Sequence, residues 1–230
     1  MNRILLIIDP FLSEPATDAI NLISKIHFEI LSSKGDFSSR IEVFFPSKEK
    51  RTLREFLNNK VNENTEIQTV ISLGSYAHIT ENLDWVQNLG IDLKEMVIEK
   101  NIPFLGICFS HQLFASVYGS RVDFIENRDK LPEKKYNEFR KIFTNHPLLI
   151  SLLNGKKEFI SKAQQEQEVK DYNPILLDCI AFSDSCRIEF LKHKYFPAFS
   201  IQSHLEKEHP SKDGFYLLKN LLIYLLGYKK

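Results

Sequence analysis

The chain has 230 residues and a mass of 26.9 kDa, and we expect residues 1–230 to form a single domain. Its 30 Lys and Arg residues balance its 30 Asp and Glu residues, so no global charge would attract nucleic acid or anionic lipid. With 43% apolar and 26% charged residues, the composition is typical of a soluble globular protein.

The amino-terminal apolar run Ile4–Ile8 ends at Asp9 and Pro10, so it is too short for a secretion signal or a membrane span. The three cysteines form neither a disulfide framework nor a metal-ligating pattern. We therefore expect a cytoplasmic chain with reduced thiols, no metal, no cofactor and no membrane partner.

The first half of the chain alternates strand-like and helical segments. This alternation predicts crossover units and a parallel sheet. The predicted strands are 3–9, 40–45, 67–73 and 102–107, and the predicted helices are 14–33, 48–59, 82–100 and 112–118, the last ending at Gly119.

After Gly119 the segments are short and mostly strand-like, and a broadly apolar helix at 215–226 closes the chain. The predicted strands here are 122–125, 139–143, 158–163, 175–182, 187–191 and 198–202. The polar stretches 126–137 and 162–173 are predicted to be surface loops. The whole pattern predicts an α/β fold with a doubly wound, mostly parallel sheet and a small extra β-meander in the second half.

The segment from Pro103 to Gln112 carries the clearest chemical signal. An apolar strand runs into Gly106-Ile107-Cys108-Phe109-Ser110, with small residues two before and two after the cysteine, and a helix follows. This is the layout of a nucleophile elbow, which exposes its nucleophile at the carboxyl edge of a sheet. A helix start at this point favours the thiolate. Without this context, Cys108 would be read as a packing residue, as Cys179 and Cys186 are.

A cysteine nucleophile needs a base, and the base needs an orienting carboxylate. His204 and Glu206 follow the predicted strand 198–202 and therefore emerge at a strand end. His27 and Glu29 have the same spacing, but they lie within a helical pattern, so we interpret His27 as a packing or edge histidine.

Gly74 and Ser75 follow another predicted buried strand. They form either an ordinary strand-to-loop turn or a pair of N–H donors that would face Cys108 as part of an oxyanion hole.

These three motifs resemble those of the class I glutamine amidotransferases. Gly106–Gln112 is similar to their G-x-C-x-G-[HM]-Q elbow, Ile201–Glu206 to V-Q-F-H-P-E, and Leu73–Tyr76 to S-G-[GS]-P. The likeness covers nearly the whole chain and is greatest to the free-standing branch similar to the glutaminase domain of GMP synthetase. It implies a flavodoxin-like fold.

The resemblance also implies roles for particular residues. Cys108 would be the nucleophile, His204 the general base and acid, and Glu206 the orienting carboxylate. Gln112 would help to hold the substrate glutamine, and N–H groups near Ser75 and Phe109 would form the oxyanion hole. No metal or nucleotide is needed for this half-reaction.

Three departures from the family pattern bear on these roles. Ser110 replaces the second glycine of the elbow, and its Cβ would crowd the turn if the backbone there needed a positive φ. Tyr76 and Leu205 replace prolines. Gln165–Gln167 replaces an H-G-D-like segment, which would alter substrate contacts or partner docking.

The sequence leaves several functions open. The favoured one is an amidotransferase-type hydrolase acting on glutamine or on another γ-glutamyl compound, such as a γ-glutamyl peptide. Few residues follow His204, so we expect any synthetase that receives the ammonia to be a separate subunit. The alternatives are a catalytically quiet regulatory or binding module on the same fold and, less favoured, a cysteine-dependent redox protein.

Overall fold

The computed structural model describes residues 2–126 and 137–227 and shows an α/β fold with a seven-stranded central sheet. The strand order is β2-β1-β3-β4-β11-β10-β9. The first five strands in this order are parallel. At one edge, β10 runs antiparallel to both of its neighbours, β11 and β9. The strands are β1 (Asn2–Ile8), β2 (Ser39–Phe44), β3 (Thr65–Ser72), β4 (Phe104–Ile107), β5 (Val122–Phe124), β6 (Asn137–Phe143), β7 (Glu158–Gln164), β8 (Gln167–Val169), β9 (Leu177–Ala181), β10 (Phe190–His193) and β11 (Ala198–Ile201).

Helices cover both faces of this sheet, as the prediction of a doubly wound fold requires. The buried residues of β1 show why: Leu5 and Ile7 pack with helices on one face, and Ile4, Leu6 and Ile8 pack with helices on the other. A strand that is buried on both faces does not alternate polar and apolar residues, and the run Ile4–Ile8 of β1 has this pattern. The helices are α1 (Thr17–Lys34), α2 (Leu53–Lys60), α3 (Asp84–Asp92), α4 (Phe109–Val117), α5 (Pro147–Leu152) and α6 (Asp213–Leu225).

The second half contains the extra β-structure that the short strands predict. Strands β9, β10 and β11 follow one another in an antiparallel arrangement, but they extend the central sheet instead of forming a separate one. Two further two-stranded sheets pair β5 with β8 and β6 with β7.

The prediction of a surface loop at 162–173 is wrong. Strand β7 continues to Gln164, β8 follows, and the side chains of Gln165 and Gln167 are buried. The side-chain amide of Gln167 bonds the N–H of Ile79 and the hydroxyl of Thr80. These partners lie far away in the sequence, so the polar composition of 162–173 does not reveal that its glutamine side chains are buried. Most of the other predicted loop, at 126–137, lies outside the described residues.

Two helices also differ from the sequence prediction. The segment predicted as one helix at 82–100 is α3 followed by a wider π-helical turn, Leu93–Ile98. Helix α5 was not predicted; it begins at Pro147, whose fixed φ suits the first helical position. Among the described residues, no helix is both long enough and apolar enough to cross a membrane.

A buried ion pair joins β6 to the segment that precedes β10. The guanidinium of Arg140, on β6, lies 3.2 Å from a carboxylate oxygen of Glu189 and also bonds Gln165, which follows β7. Both members of the ion pair are buried. Burial raises the pKa of Glu189 above its usual value, although Arg140 opposes the shift. Loss of either partner would leave the other as a buried, uncompensated charge and would destabilise this region.

We expect Arg140→Met to lower the free energy of unfolding by about 3–5 kcal/mol, because it leaves Glu189 buried without its cation. Glu189 would then ionise at a still higher pH in the folded state. Unfolding releases the proton of such a group, so the deficit should be small near pH 4 and grow as the pH rises. Denaturant unfolding at several pH values measures this loss.

The control for this variant is Lys141→Met. Lys141 is the next residue of β6 and forms an exposed ion pair with Glu158. Its loss should change the free energy of unfolding by less than about 1 kcal/mol. Equal effects of the two substitutions would contradict the assignment of Arg140 as a buried, stabilising partner.

Candidate active site

The predicted site residues meet at the carboxyl edge of the central sheet because their strands are neighbours in parallel register. Ser72 of β3 pairs with Gly106 of β4, and Ile107 of β4 pairs with Ile201 of β11. The residues that follow these three strands therefore leave the sheet side by side. They include Gly74, Cys108 and His204, which are far apart in sequence.

Cys108 occupies a sharp turn between β4 and α4. Its φ is +55° and its ψ is −106°, a conformation that costs a non-glycine residue about 1–3 kcal/mol. Its N–H donates to the carbonyl of Ile201 at 2.8 Å, and its own carbonyl accepts from the N–H of His111 at 2.9 Å. The turn is thus held from both sides, and the structure confirms the predicted strand–turn–helix layout.

The two small residues that flank the turn have different reasons to be small. A Cβ at Gly106 would stand 2.8 Å from the carbonyl oxygen of Ser110, so only glycine fits. Ser110 lies within α4, and its φ is not positive. The left-handed residue of the turn is Cys108, so the crowding expected for a serine at position 110 does not arise.

His204 and Glu206 form a close pair beside Cys108. The Nδ1 atom of His204 lies 2.6 Å from a carboxylate oxygen of Glu206, and both side chains are buried. The N–H of His204 donates to the carbonyl of Lys162 at 2.6 Å, which ties the pair to β7. Because Glu206 occupies Nδ1, the imidazole has Nε2 left for another partner.

The charges of this group favour an imidazolium at His204. Burial lowers the pKa of His204, but the Glu206 carboxylate and the Cys108 sulfur outweigh it, so the pKa lies well above the usual value. Burial raises the pKa of Glu206, and the positive charge of His204 more than reverses this and lowers it. The arrangement can hold a proton on His204 at neutral pH.

Gly74 lies directly against both Cys108 and His204. A Cβ added at Gly74 would stand 3.1 Å from Cε1 of His204 and 3.5 Å from Cβ of Cys108. Among the described residues, the backbone N–H groups of Gly74, Ser75 and Phe109 have no hydrogen-bond acceptor. Gly74 lies against Cys108, Phe109 follows it in the chain, and Ser75 lines the same cavity, so these donors could bind a negatively charged oxygen.

These residues open into a cavity of about 450 Å³. Its walls include Gly74, Ser75, Cys108, His204 and Glu206. The loop after β1, residues 11–16, and the first turn of α1 form its outer side. A larger cavity of about 610 Å³ lies beyond Glu206 and does not include Cys108, so it is less suited to chemistry at the thiol.

The side chains of Gln112 and Phe109 do not line the cavity. Gln112 is buried in α4, where its Nε2 bonds the carbonyl of Gln167 at 2.7 Å and the amide oxygen of Gln202 at 3.2 Å. The ring of Phe109 packs against Trp85. The role of Gln112 in holding a substrate stays a prediction, and a substrate could reach its amide only by displacing these contacts.

The sequence analysis did not single out several residues of the site. The side-chain amide of Gln202 lies 3.7 Å from Sγ of Cys108, whose thiol also contacts the carbonyl of Gln164 at 3.6 Å. Gln202 stands within the quoted His204 motif, so its place in the motif was an available signal. The loop after β1 could have been found too, since it follows a parallel strand at the same edge.

The other histidine and cysteine interpretations agree with the structure. His27 is buried on α1 and its ring bonds the hydroxyl of Ser39. Cys186 is buried, and Cys179 is partly buried. Burial raises the pKa of the Cys179 thiol to about 11.

Known proteins resemble this chain in sequence or in fold. One component of the glutamine-hydrolysing GMP synthase of Methanococcus aeolicus is 28% identical over 70% of this chain and 76% of its own length. The same component in Methanococcus vannielii is 28% identical over 83% of this chain and 93% of its own. The CTPS glutaminase domain of Trypanosoma brucei, solved with bound acivicin, superposes with a TM-score of 0.71 at 12% identity, covering 100% of this chain and 96% of that one.

The chain thus shares its fold with that glutaminase domain. The family model of class I glutamine amidotransferases matches residues 51–224, and the chain belongs to this family. The resemblance predicted from the motifs is confirmed, and membership of the family implies an enzyme.

We expect Glu206→Gln to lower the pKa of His204, because it removes the carboxylate that raises this pKa. Titration of the His204 ring protons by NMR measures the change. The protonated ring stabilises the fold at pH values below about 6.5, and this contribution is lost as the pH rises through the raised pKa. The variant should therefore lose more stability at pH 6 than at alkaline pH. Glu81→Gln, beside His78, is the control and should leave the titration of His204 unchanged.

Proposed function

We propose that the chain hydrolyses the side-chain amide of glutamine, with Cys108 as nucleophile, His204 as general acid and base, and Glu206 as the orienting carboxylate. The observation that carries the proposal is the 2.6 Å pair of His204 and Glu206 in one cavity with a cysteine held on a strained turn. A nucleophile, a base and a third group that orients the base are a signature of nucleophilic catalysis.

The reaction begins when the thiol of Cys108 passes its proton to His204 and its sulfur attacks the amide carbon. The carbonyl oxygen becomes an oxyanion, which the N–H groups of Gly74, Ser75 and Phe109 stabilise. His204 gives its proton to the nitrogen, the carbon–nitrogen bond breaks, and ammonia leaves. Water then attacks the γ-glutamyl thioester while His204 accepts a proton from it. The carbon–sulfur bond breaks, glutamate leaves, and His204 returns the proton to the sulfur, which restores the thiol.

We assign the ammonia to a separate synthetase subunit. The similar proteins of Methanococcus are named as single subunits of a glutamine-hydrolysing GMP synthase, which supports a division of labour between chains. We place the reaction in the cytoplasm, where a reducing environment keeps Cys108 as a free thiol. In this role the chain needs no metal or nucleotide of its own.

A second candidate substrate is a larger γ-glutamyl amide or peptide. The cavity of about 450 Å³ falls in the range that holds ligands larger than one amino acid. The rings of Phe11 and Tyr76 stack edge to face on its wall, 5.4 Å apart, and Tyr76 is exposed. These rings could pack against the leaving group of such a substrate.

We expect the purified chain to release ammonia and glutamate from glutamine, and Cys108→Ala to reduce kcat by at least about a thousandfold. Cys179→Ala is the matched control and should keep full activity. A parallel series of γ-glutamyl amides and peptides compares the two substrate classes. A glutaminase should respond to an added synthetase subunit, whereas a γ-glutamyl hydrolase should turn over alone.

The proposal fails if no γ-glutamyl amide is hydrolysed, with or without the synthetase, and if a glutamine-like electrophile also leaves Cys108 unlabelled. That result would support the alternative of a catalytically quiet binding module. In that case a ligand or partner should still bind the Cys108→Ser variant.

A further inference from the structure

Ser110 makes a connection inside the protein that the glycine of the family motif cannot make. Its side chain is fully buried in the first turn of α4. The hydroxyl oxygen lies 2.6 Å from the carbonyl oxygen of Leu73 and 2.7 Å from the hydroxyl of Ser72. Helix α4 is thereby bonded to the end of β3, two residues after Cys108 and one residue before Gly74.

The direction of these hydrogen bonds follows from the groups present. A carbonyl oxygen only accepts, so the single hydroxyl proton of Ser110 goes to Leu73. The hydroxyl of Ser72 must then donate to Ser110. The Ser110 hydroxyl that donates to the carbonyl of Leu73 thus accepts a hydrogen bond from the Ser72 hydroxyl, which strengthens its own donation. Both hydroxyls are shielded from water.

The carbonyl of Leu73 and the N–H of Gly74 belong to one peptide group. This group is planar, and in its trans form the C=O and N–H bonds point in opposite directions. A hydrogen bond that fixes the carbonyl of Leu73 therefore also fixes the direction of the Gly74 N–H. That N–H has no acceptor among the described residues, and Gly74 lies against Cys108 and His204.

We infer that Ser110 is a positioning residue that holds the Leu73–Gly74 peptide in place, so that the Gly74 N–H is aligned to stabilise the oxyanion. The inference rests on the proposed glutamine hydrolysis for its chemical consequence. Its structural content, the order of the Gly74 peptide, is independent of that reaction.

The experiment compares Ser110→Ala and Ser110→Gly with the unmodified chain. We expect kcat for glutamine to fall about tenfold with little change in KM, which is less than the hundredfold or more for loss of an oxyanion donor itself. Alkylation of Cys108 by iodoacetamide should keep its rate, because displacement of iodide forms no oxyanion. A variant that hydrolyses glutamine more slowly but is alkylated at the normal rate has a misaligned Gly74 N–H and an undamaged Cys108 thiol.

Two control variants test whether the bond to Leu73 is the one that matters. Ser116→Ala, on the same helix, removes a hydroxyl that bonds only the helix carbonyl of Leu113, and kcat should not change. Ser72→Ala removes the outer hydroxyl but leaves the bond between Ser110 and Leu73, and kcat should fall by less than about threefold. Thermal unfolding of each variant checks that it is folded.

The order parameter of the Gly74 amide, from NMR relaxation, tests the inference without any turnover. It should be near 0.85 in the unmodified chain and should fall toward 0.6 in Ser110→Ala. An unchanged order parameter, or equal losses in kcat and in the alkylation rate, would overturn the inference. If the unmodified chain releases no ammonia, the proposed function fails, and the order parameter still decides the role of Ser110.

Discussion

The left-handed backbone of Cys108 is the constraint on which the rest of the site depends. A residue in this conformation must be held by its surroundings, and here β11 holds it, since the carbonyl of Ile201 accepts the N–H of Cys108. The same bond fixes the distance between the turn and the segment that carries His204. Gly106 is required by the same turn, because the carbonyl of Ser110 passes too close for any side chain.

Polar groups are concentrated at one edge of a sheet that is otherwise apolar. The interior strands are buried on both faces, and this core allows the carboxyl edge to contain a strained turn, a buried His204–Glu206 pair and the buried amides of Gln112, Gln167 and Gln202. The three amides bond one another, the backbone, the hydroxyl of Thr80 and the sulfur of Cys108, so that few of their polar atoms are left without partners. Stability is thus provided by the two faces of the sheet, and the strained turn and the buried polar groups lie at its edge.

The sequence predicts the parts of this structure that depend on local pattern. Strands β1 and β4 contain apolar runs without alternation, and the strands before Gly74 and His204 are short and mostly buried. The turn at Cys108 has small residues at the required spacing, so the fold class and the grouping of Cys108 with His204 could be predicted. The burial of Gln165 and Gln167 could not, because their partners at Ile79, Thr80 and Arg140 are distant in the chain. A polar segment is predicted to be exposed to solvent unless distant hydrogen-bond partners for its side chains are known.

The position of β11 in the sheet has a consequence for the order in which the site is assembled. β11 lies between β4 and β10, yet it is made about ninety residues after β4. On the ribosome the amino-terminal part of a chain emerges and begins to fold first. One edge of β4 therefore has no partner strand until β11 has been made. Cys108 is also present in the nascent chain long before His204. Insertion of β11 joins β4 to β10 and supplies the carbonyl of Ile201 that holds the turn. It also brings the imidazole of His204 close to the sulfur of Cys108. These two groups therefore come together only when the fold is nearly complete.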